Sequence, residues 1–268
     1  MELIYENKYR KEDEELYIKT YCYIQGFASG RNYINTLKAL PLAEEFHAGQ
    51  YRKGKVIVDN KLVRLPYVVH VLKVCNTLMN LKLPLNEHEL DILYASALLH
   101  DIIEDCKDKL PKGGIELVKD NGLDTEILEI IQLLSKRSGA TEDELLEYFN
   151  AIKYNKLAVL IKLADRGHNV ETLSSMKLEK IHKYTKETRD YIYPLCSYAK
   201  RHYPEITNGV TILKSKIVSL TEETETLLSM FEHEKGKESI HKEQEEESKQ
   251  NVVDENNTEK GLDNNGQE

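Results

Sequence analysis

Apolar residues recur at helical spacing along most of the chain, and this pattern predicts a mainly helical fold. The clearest helix is predicted over 86–105, where Asn86 and Glu89 form a capping-box pattern before a long apolar run. Thr141 and Glu144 open another helix in the same way. Further helices are predicted over 31–49, 66–82, 124–134, 155–173, 177–202 and 206–231.

Strand character occurs at one place, over 55–64. Two short apolar runs, at 56–58 and 62–63, flank Asp59-Asn60, which is a two-residue turn pattern. The fold class predicted from these patterns is all-α, a helical bundle with this small β-hairpin as an insertion.

Composition divides the chain into four predicted parts: a helical N-terminal extension (1–30), a main domain (31–203), a C-terminal helix (204–232) and an acidic tail (233–268). The tail has almost no large apolar side chains, so we predict that it is disordered. After His233 the tail holds five Lys and eleven Asp or Glu, which contributes −6 to the formal net charge of −9. The remainder is therefore near neutral, and without a basic stripe we expect no binding to duplex nucleic acid.

No segment approaches the ~18 consecutive apolar residues that a membrane span needs, and charged residues occupy the N-terminus where a signal peptide is apolar. The four cysteines lie far apart and form no Cys-x-x-Cys pair. This spacing indicates neither a thiolate zinc site nor a disulfide scaffold. We therefore expect a reduced, cytoplasmic protein that binds no membrane.

The helix predicted over 206–231 carries an apolar stripe with alternating spacings of three and four. The stripe either covers the core of the same domain, which is the favoured interpretation, or forms the coiled-coil seam of a homodimer. Its apolar members are Val210, Leu213, Ile217, Leu220, Leu227 and Phe231.

Two apolar segments that are predicted to be buried helices each end in a polar cluster. His100 and Asp101 end the first, and Glu104 and Asp105 follow one turn later. Unpaired ionised groups in a buried place cost several kcal/mol each, so a divalent cation is one explanation of this cluster. A helix end solvated by water is the alternative.

The second apolar segment favours a divalent cation over a solvated helix end as the explanation. Asp165, His168, Asn169 and Thr172 share one face of that helix, so an Asp and a His again follow an apolar run. Two such ends suggest convergence on one site. His70 is a further candidate ligand, although an isolated His on an apolar helix is more often a core residue.

The candidate ligands combine two imidazoles with two carboxylates. This set suits Mn²⁺, with Fe²⁺ or another divalent metal as alternatives, better than structural Zn²⁺. Water acidified by such an ion beside Glu104 and Asp105 could hydrolyse a phosphate ester. The predicted metal residues are His70, His100, Asp101 and Asp165.

These residues and their neighbours resemble the HD-domain phosphohydrolase superfamily, and more narrowly the hydrolase domain of RelA/SpoT-type alarmone enzymes. The resemblance covers roughly residues 40–200, and its segments follow in the family's order. They are AEEFHAGQYRKG (43–54), PYVVH (66–70), ALLHDIIEDC (97–106), IIQLLSKRSG (130–139), LIKLADRGHNVETL (160–173) and ETRDYIYPLC (187–196).

The resemblance implies a Mn²⁺-dependent enzyme that removes the 3′-pyrophosphate of guanosine tetra- or pentaphosphate. It implies that the four predicted metal residues bind the ion and that Glu104 and Asp105 activate water. It places Arg52, Lys53, Asn169 and Thr172 beside the nucleotide, and it leaves His47 and His168 to orient ligands.

Two departures from the family pattern keep other functions open. The hairpin takes the place of a short link between Arg52 and Pro66, and Val71 follows the first ligand His where the family has Pro. The hairpin leaves an HD-domain hydrolase of another nucleotide as an alternative. A non-catalytic nucleotide-binding regulator is a further alternative, although neither Glu104, Asp105 nor a predicted ligand is lost. No synthetase domain follows in this sequence, so a stand-alone hydrolase is expected.

Overall fold

The computed structural model describes residues 11–52, 56–58, 61–110, 114–137, 139–173 and 176–232. The predictions for Lys53, for the Asp59-Asn60 turn and for the tail 233–268 lie outside these residues. The described residues up to Thr221 belong to one compact unit, and a second unit begins at Glu222 and is helical to residue 232. The site described below lies in the first unit.

The described residues are mostly α-helical, as the apolar pattern predicts. The helices are α1 (Lys11–Arg31), α2 (Ile34–Phe46), α3 (Tyr67–Asn80), α4 (Glu87–Leu99), α5 (Ile102–Asp105), α6 (Ile115–Asn121), α7 (Thr125–Leu134), α8 (Glu142–Ile152), α9 (Lys156–Glu171), α10 (Leu178–Glu187), α11 (Tyr193–His202) and α12 (207–232). A π-helical turn at Thr188–Ile192 joins α10 to α11. None of the helices within the described ranges is long and apolar enough to cross a membrane.

Both predicted capping boxes are confirmed. The Asn86 side chain accepts a hydrogen bond from the amide of Glu89 at 2.9 Å, and the Glu89 carboxylate accepts one from the amide of Asn86 at 3.1 Å. Thr141 and Glu144 make the same reciprocal pair at the start of α8. These bonds satisfy amide donors that the first turn of a helix leaves unpaired.

The single helix predicted over 86–105 is wrong, because His100 and Asp101 separate α4 from α5. The Nδ1 atom of His100 lies 2.8 Å from the carbonyl oxygen of Ala97. In a continuing α-helix that oxygen would accept the amide of Asp101. The imidazole competes for this acceptor, and the chain turns where the two predicted ligands occur.

Helix α4 forms the centre of the first unit. Every residue from Leu90 to Leu99 is buried, and α4 contacts α2, α3, α7 and α9. Helix α9 is buried from Leu157 to Ile161 and also packs on α3 and α7. The core therefore fixes α3, α4 and α9, the three helices that carry or adjoin the predicted metal residues.

Two strands, β1 (Val56–Val58) and β2 (Lys61–Val63), pair antiparallel within the segment predicted as a hairpin. Tyr51 and Pro66 form an isolated antiparallel bridge just outside this pair. The bridge holds Arg52 near the start of α3. That the hairpin is an insertion relative to related proteins stays a prediction.

The first part of α12 covers the core of its own unit, which is the favoured of the two predicted roles. Val210, Leu213 and Ile217 are buried there among core residues. The homodimer through 206–231 and the boundaries of the four predicted parts stay predictions.

Candidate active site

All four predicted metal residues come together, although they derive from three distant segments of the chain. The Nε2 atom of His70 lies 3.2 Å from an oxygen of Asp165 and 3.4 Å from one of Asp101. The Nε2 atom of His100 lies 3.1 Å from the Asp101 oxygen and 3.8 Å from the Asp165 oxygen. Ligand atoms of His70, His100 and Asp165 lie within 4.8 Å of one another.

The donor atoms of this cluster fit a divalent cation. The Nε2 atoms of His70 and His100 are buried and have no hydrogen-bond partner among the described residues. Because the Nδ1 atom of His100 donates to a backbone carbonyl, it is the Nε2 atom that carries the lone pair when this imidazole is neutral. Two nitrogen lone pairs and two carboxylates facing each other are unfavourable unless a positive charge lies between them.

The charges in the cluster are strongly coupled. Burial opposes ionisation of Asp101 and Asp165. The charge of His100 nevertheless holds the pKa of Asp101 well below its usual range. The charge of Lys162 does the same for the pKa of Asp165. Burial lowers the pKa of His100, yet Asp101 and Asp165 outweigh it and raise this pKa to about 10. Without a cation, a proton on His100 therefore compensates the carboxylates, and a metal ion would displace that proton.

His168 is placed to orient His70, as the resemblance implied. The Nδ1 atoms of the two rings lie 2.5 Å apart. Burial, followed by the neighbouring His70 ring, lowers the pKa of His168 to about 2, so His168 is neutral. A neutral His168 can accept the Nδ1 proton of His70, which leaves the Nε2 atom of His70 available for a metal. His47, by contrast, bonds to Gln50 at 2.7 Å and does not join the cluster.

Asn169 links the cluster of predicted metal residues to Arg52. One Asp165 oxygen accepts a hydrogen bond from the Asn169 amide at 2.6 Å, and the other accepts one from the Lys162 ammonium at 3.2 Å. The Asn169 side-chain oxygen accepts a hydrogen bond from the Arg52 guanidinium. Two of the residues predicted beside the nucleotide thus contact each other, and one contacts a predicted metal ligand.

An open cleft of ≈ 400 Å³ lies against this cluster, large enough for a small-molecule ligand. Asp101 and Asp165 line the cleft. All described residues predicted for catalysis or substrate binding also line it: Arg52, Glu104, Asp105, Asn169 and Thr172.

The two predicted catalytic carboxylates have different surroundings. Glu104 is half-buried and accepts a hydrogen bond from the amide of Lys136 at 3.2 Å. Burial is the main cause that raises the pKa of Glu104. Asp105 is exposed at the cleft, and its backbone carbonyl accepts a hydrogen bond from Gln50 at 2.9 Å. A carboxylate with a raised pKa is the better proton carrier near neutral pH.

The wall of the cleft also contains charged residues to which the sequence pattern assigned no role. Arg166 is buried and donates to the carboxylate of Glu187, whose other oxygen lies 3.3 Å from the Lys136 ammonium. A buried Arg needs a counter-charge, so its position on an apolar helix was a signal that a partner existed. The partner itself lies 21 residues away and is unremarkable in the sequence.

Comparison with known protein families agrees with this geometry. The HD domain family matches residues 67–170, the range that contains all four clustered metal candidates. This match is consistent with the resemblance stated from the sequence.

Several curated proteins are similar to this chain over a somewhat longer region. A guanosine-3′,5′-bis(diphosphate) 3′-pyrophosphohydrolase of Haemophilus influenzae is 32% identical over 160 residues, 58% of this chain and 21% of that protein. A GTP pyrophosphokinase of Myxococcus xanthus is 30% identical over 168 residues, which are 60% of this chain and 20% of that protein. The bifunctional (p)ppGpp synthase/hydrolase SpoT of Escherichia coli K12 is 28% identical over 173 residues, which are 62% of this chain and 22% of that protein. The similar region thus spans about a fifth of each relative.

Proposed function

We propose that this chain is a metal-dependent phosphohydrolase of the HD-domain type, a proposal supported by its match to the HD domain family and by its similarity to RelA/SpoT-type proteins. Its proposed substrate is guanosine 3′,5′-bis(diphosphate) or the corresponding pentaphosphate. The products would be GDP or GTP and pyrophosphate. The observation that supports this most is the convergence of two buried imidazole nitrogens and two carboxylates beside an open cleft.

The proposed metal residues are His70, His100, Asp101 and Asp165. Their nitrogen and oxygen donors suit Mn²⁺, or Fe²⁺ as the alternative, and coordination would leave positions for substrate. A bound divalent cation would polarise a phosphoryl oxygen and acidify an adjacent water molecule.

Glu104 and Asp105 are the proposed catalytic carboxylates. Glu104 would take a proton from the water molecule that attacks the phosphorus atom attached to the ribose 3′ oxygen. The bond between this phosphorus and the 3′ oxygen breaks, and the same proton can pass from Glu104 to that oxygen. The raised pKa of Glu104 supports this assignment. Asp105 would hold the attacking water from the exposed side of the cleft.

Arg52, Asn169 and Thr172 are the proposed nucleotide-binding residues, and Lys53 is assigned with them from the sequence alone. The Arg52 guanidinium is held by Asn169, so it faces the cleft in a defined orientation. The Thr172 hydroxyl donates to the backbone carbonyl of Asn169 at 3.2 Å, which keeps it on the same wall. Arg52 also lies next to the hairpin segment, which is why a different nucleotide is the second candidate substrate.

Product analysis tests this proposal. Guanosine tetraphosphate is incubated with the protein and Mn²⁺, or with Mn²⁺ and excess EDTA, and the products are separated by ion-exchange chromatography. GDP and pyrophosphate should appear with Mn²⁺ alone. An intact tetraphosphate, with phosphate released from other nucleotides, would favour the second substrate class. Tight binding of the tetraphosphate without turnover would favour a non-catalytic regulator.

A further inference from the structure

Tyr67, the first residue of α3, contacts both parts of the proposed site. Its hydroxyl donates to a carboxylate oxygen of Asp101 at 2.7 Å. The guanidinium carbon of Arg52 lies 5.4 Å from the centre of its ring, within the range of a cation–π contact. The ring also meets His70 edge-on, with 5.5 Å between centroids and 75° between planes.

We infer that Tyr67 is a positioning residue that orients Asp101 for the metal through its hydroxyl and Arg52 for the nucleotide through its ring. This inference rests on the proposed function. The sequence pattern gave Tyr67 no role, and the comparisons with known proteins assign it none.

The hydroxyl acts on the carboxylate oxygen that faces the imidazoles. The Asp101 oxygen that accepts from Tyr67 is also the one 3.1 Å from His100 Nε2 and 3.4 Å from His70 Nε2. A carboxylate on a short side chain can rotate, and a third contact restricts that rotation. Partners of this kind fix the orientation of metal ligands, and their removal typically weakens metal binding about 10- to 100-fold.

The Tyr67 ring restrains the side chain of Arg52, which is long and flexible. Arg52 bonds to Asn169 at its guanidinium and lies over Tyr67, so two contacts hold it. His47 stacks on the Tyr67 ring, with 4.7 Å between centroids and 26° between planes, and keeps the ring in place. A side chain that is ordered before binding loses less rotamer freedom when the ligand binds.

These contacts form a continuous path that joins the two proposed ligand carboxylates. The path runs from Asp101 through Tyr67, Arg52 and Asn169 to Asp165. The hydroxyl makes the contact to Asp101 and the ring makes the contact to Arg52, so two substitutions can separate the two functions of Tyr67.

The experiment compares Tyr67→Phe and Tyr67→Leu with a matched control, Tyr33→Phe. The Tyr33 hydroxyl donates to the Glu87 carboxylate at 2.5 Å, so the control removes the same kind of bond away from the cleft. Mn²⁺ affinity is measured by electron paramagnetic resonance of free Mn²⁺, with no substrate present. The KM for guanosine tetraphosphate is then measured at saturating Mn²⁺, and thermal unfolding shows that each variant is folded.

Tyr67→Phe should weaken Mn²⁺ binding about 10- to 100-fold and change KM by less than about twofold at saturating metal. Tyr67→Leu should show the same loss of Mn²⁺ affinity and a KM raised about threefold or more, because the cation–π contact is also lost. The control should keep both values.

Wild-type Mn²⁺ affinity in Tyr67→Phe, or an equal loss in Tyr33→Phe, would overturn the inference about the hydroxyl. An unchanged KM in Tyr67→Leu would overturn the inference about the ring. Either result leaves the proposed function standing if the wild-type protein hydrolyses the tetraphosphate. A wild-type protein that binds neither Mn²⁺ nor Fe²⁺ would overturn the proposed function and this inference together.

Discussion

Replacing Glu187 with Gln removes the charge that compensates a deeply buried arginine. Arg166 is 1% exposed and donates to Glu187, to the Thr188 hydroxyl at 3.2 Å and to the Tyr184 carbonyl at 3.4 Å. The substitution keeps the size of the side chain and one acceptor oxygen. It leaves the Arg166 charge without an anion in direct contact.

The expected loss of stability follows from this environment. Removing one partner of a buried ion pair typically costs about 3–5 kcal/mol, because the remaining charge is buried and uncompensated. Here the neutral acceptors remain, and the Tyr184 ring still lies 3.9 Å from the guanidinium carbon. We therefore expect the lower end of that range, about 3 kcal/mol in the free energy of unfolding.

The effect should depend on pH in a defined direction. Burial opposes ionisation of Glu187, but the charge of Arg166 outweighs it and lowers the pKa of Glu187 below its ordinary value of 4.5. A carboxyl group whose pKa is lowered in the folded state stabilises the protein at pH values above its unfolded-state pKa. This stabilisation is lost as the pH falls through the folded-state pKa. The difference between wild type and variant should therefore be full at neutral pH and shrink as the pH falls below 4.5.

Urea unfolding followed by far-UV circular dichroism, at pH 7 and at several acidic pH values, measures this difference. Glu142→Gln is a matched control, because Glu142 is exposed and lies 3.3 Å from Lys186 on the surface. Exposed pairs contribute about 0–1 kcal/mol. A loss below about 1 kcal/mol in Glu187→Gln, or a loss that does not vary with pH, would refute the buried-pair reasoning.

Four further substitutions test other parts of the molecule. Asp165→Asn should weaken Mn²⁺ binding by tenfold or more, and a normal metal content by elemental analysis would remove Asp165 from the ligand set. Glu104→Gln should lower kcat about 10²- to 10⁴-fold while Mn²⁺ remains bound; Asp105→Ala should also lower kcat, and an unchanged kcat would contradict either role. Asn86→Ala should cost about 1 kcal/mol of stability through loss of the capping box, with activity retained. Urea unfolding would contradict this last expectation if it showed no change.

The parts of the fold that the sequence predicts correctly are those with strong local signals. Asn86 with Glu89, and Thr141 with Glu144, supply both halves of a capping box within four residues. Their helices therefore begin where expected. The apolar runs in α4 and α9 are long enough to identify buried helices before any tertiary contact is known. The convergence of the candidate metal residues was predictable for the same reason, because two of them directly follow such runs.

The errors and omissions depend on contacts that local patterns do not contain. The break between α4 and α5 arises from one imidazole that takes a backbone acceptor, and helical periodicity continues through it. Helix α6 was missed because it has seven residues and buries only Leu117 and Val118. The roles of Tyr67 and Glu187 follow from partners 34 and 21 residues away, which no spacing rule connects.

The two sides of the cleft differ in how far their charges are compensated by the protein itself. On the side of Arg166, the Nε atom has no hydrogen-bond partner among the described residues, but each charge has an opposite charge in contact, so this side should be stable with or without a metal. On the side of His70 and His100, buried nitrogen atoms lack hydrogen-bond partners among the described residues. A cation would complete this second side, and its binding would add to the stability of the folded state. Loss of Glu187 should therefore lower stability in EDTA and in Mn²⁺ alike, whereas loss of His70 should also remove the stabilisation that Mn²⁺ adds.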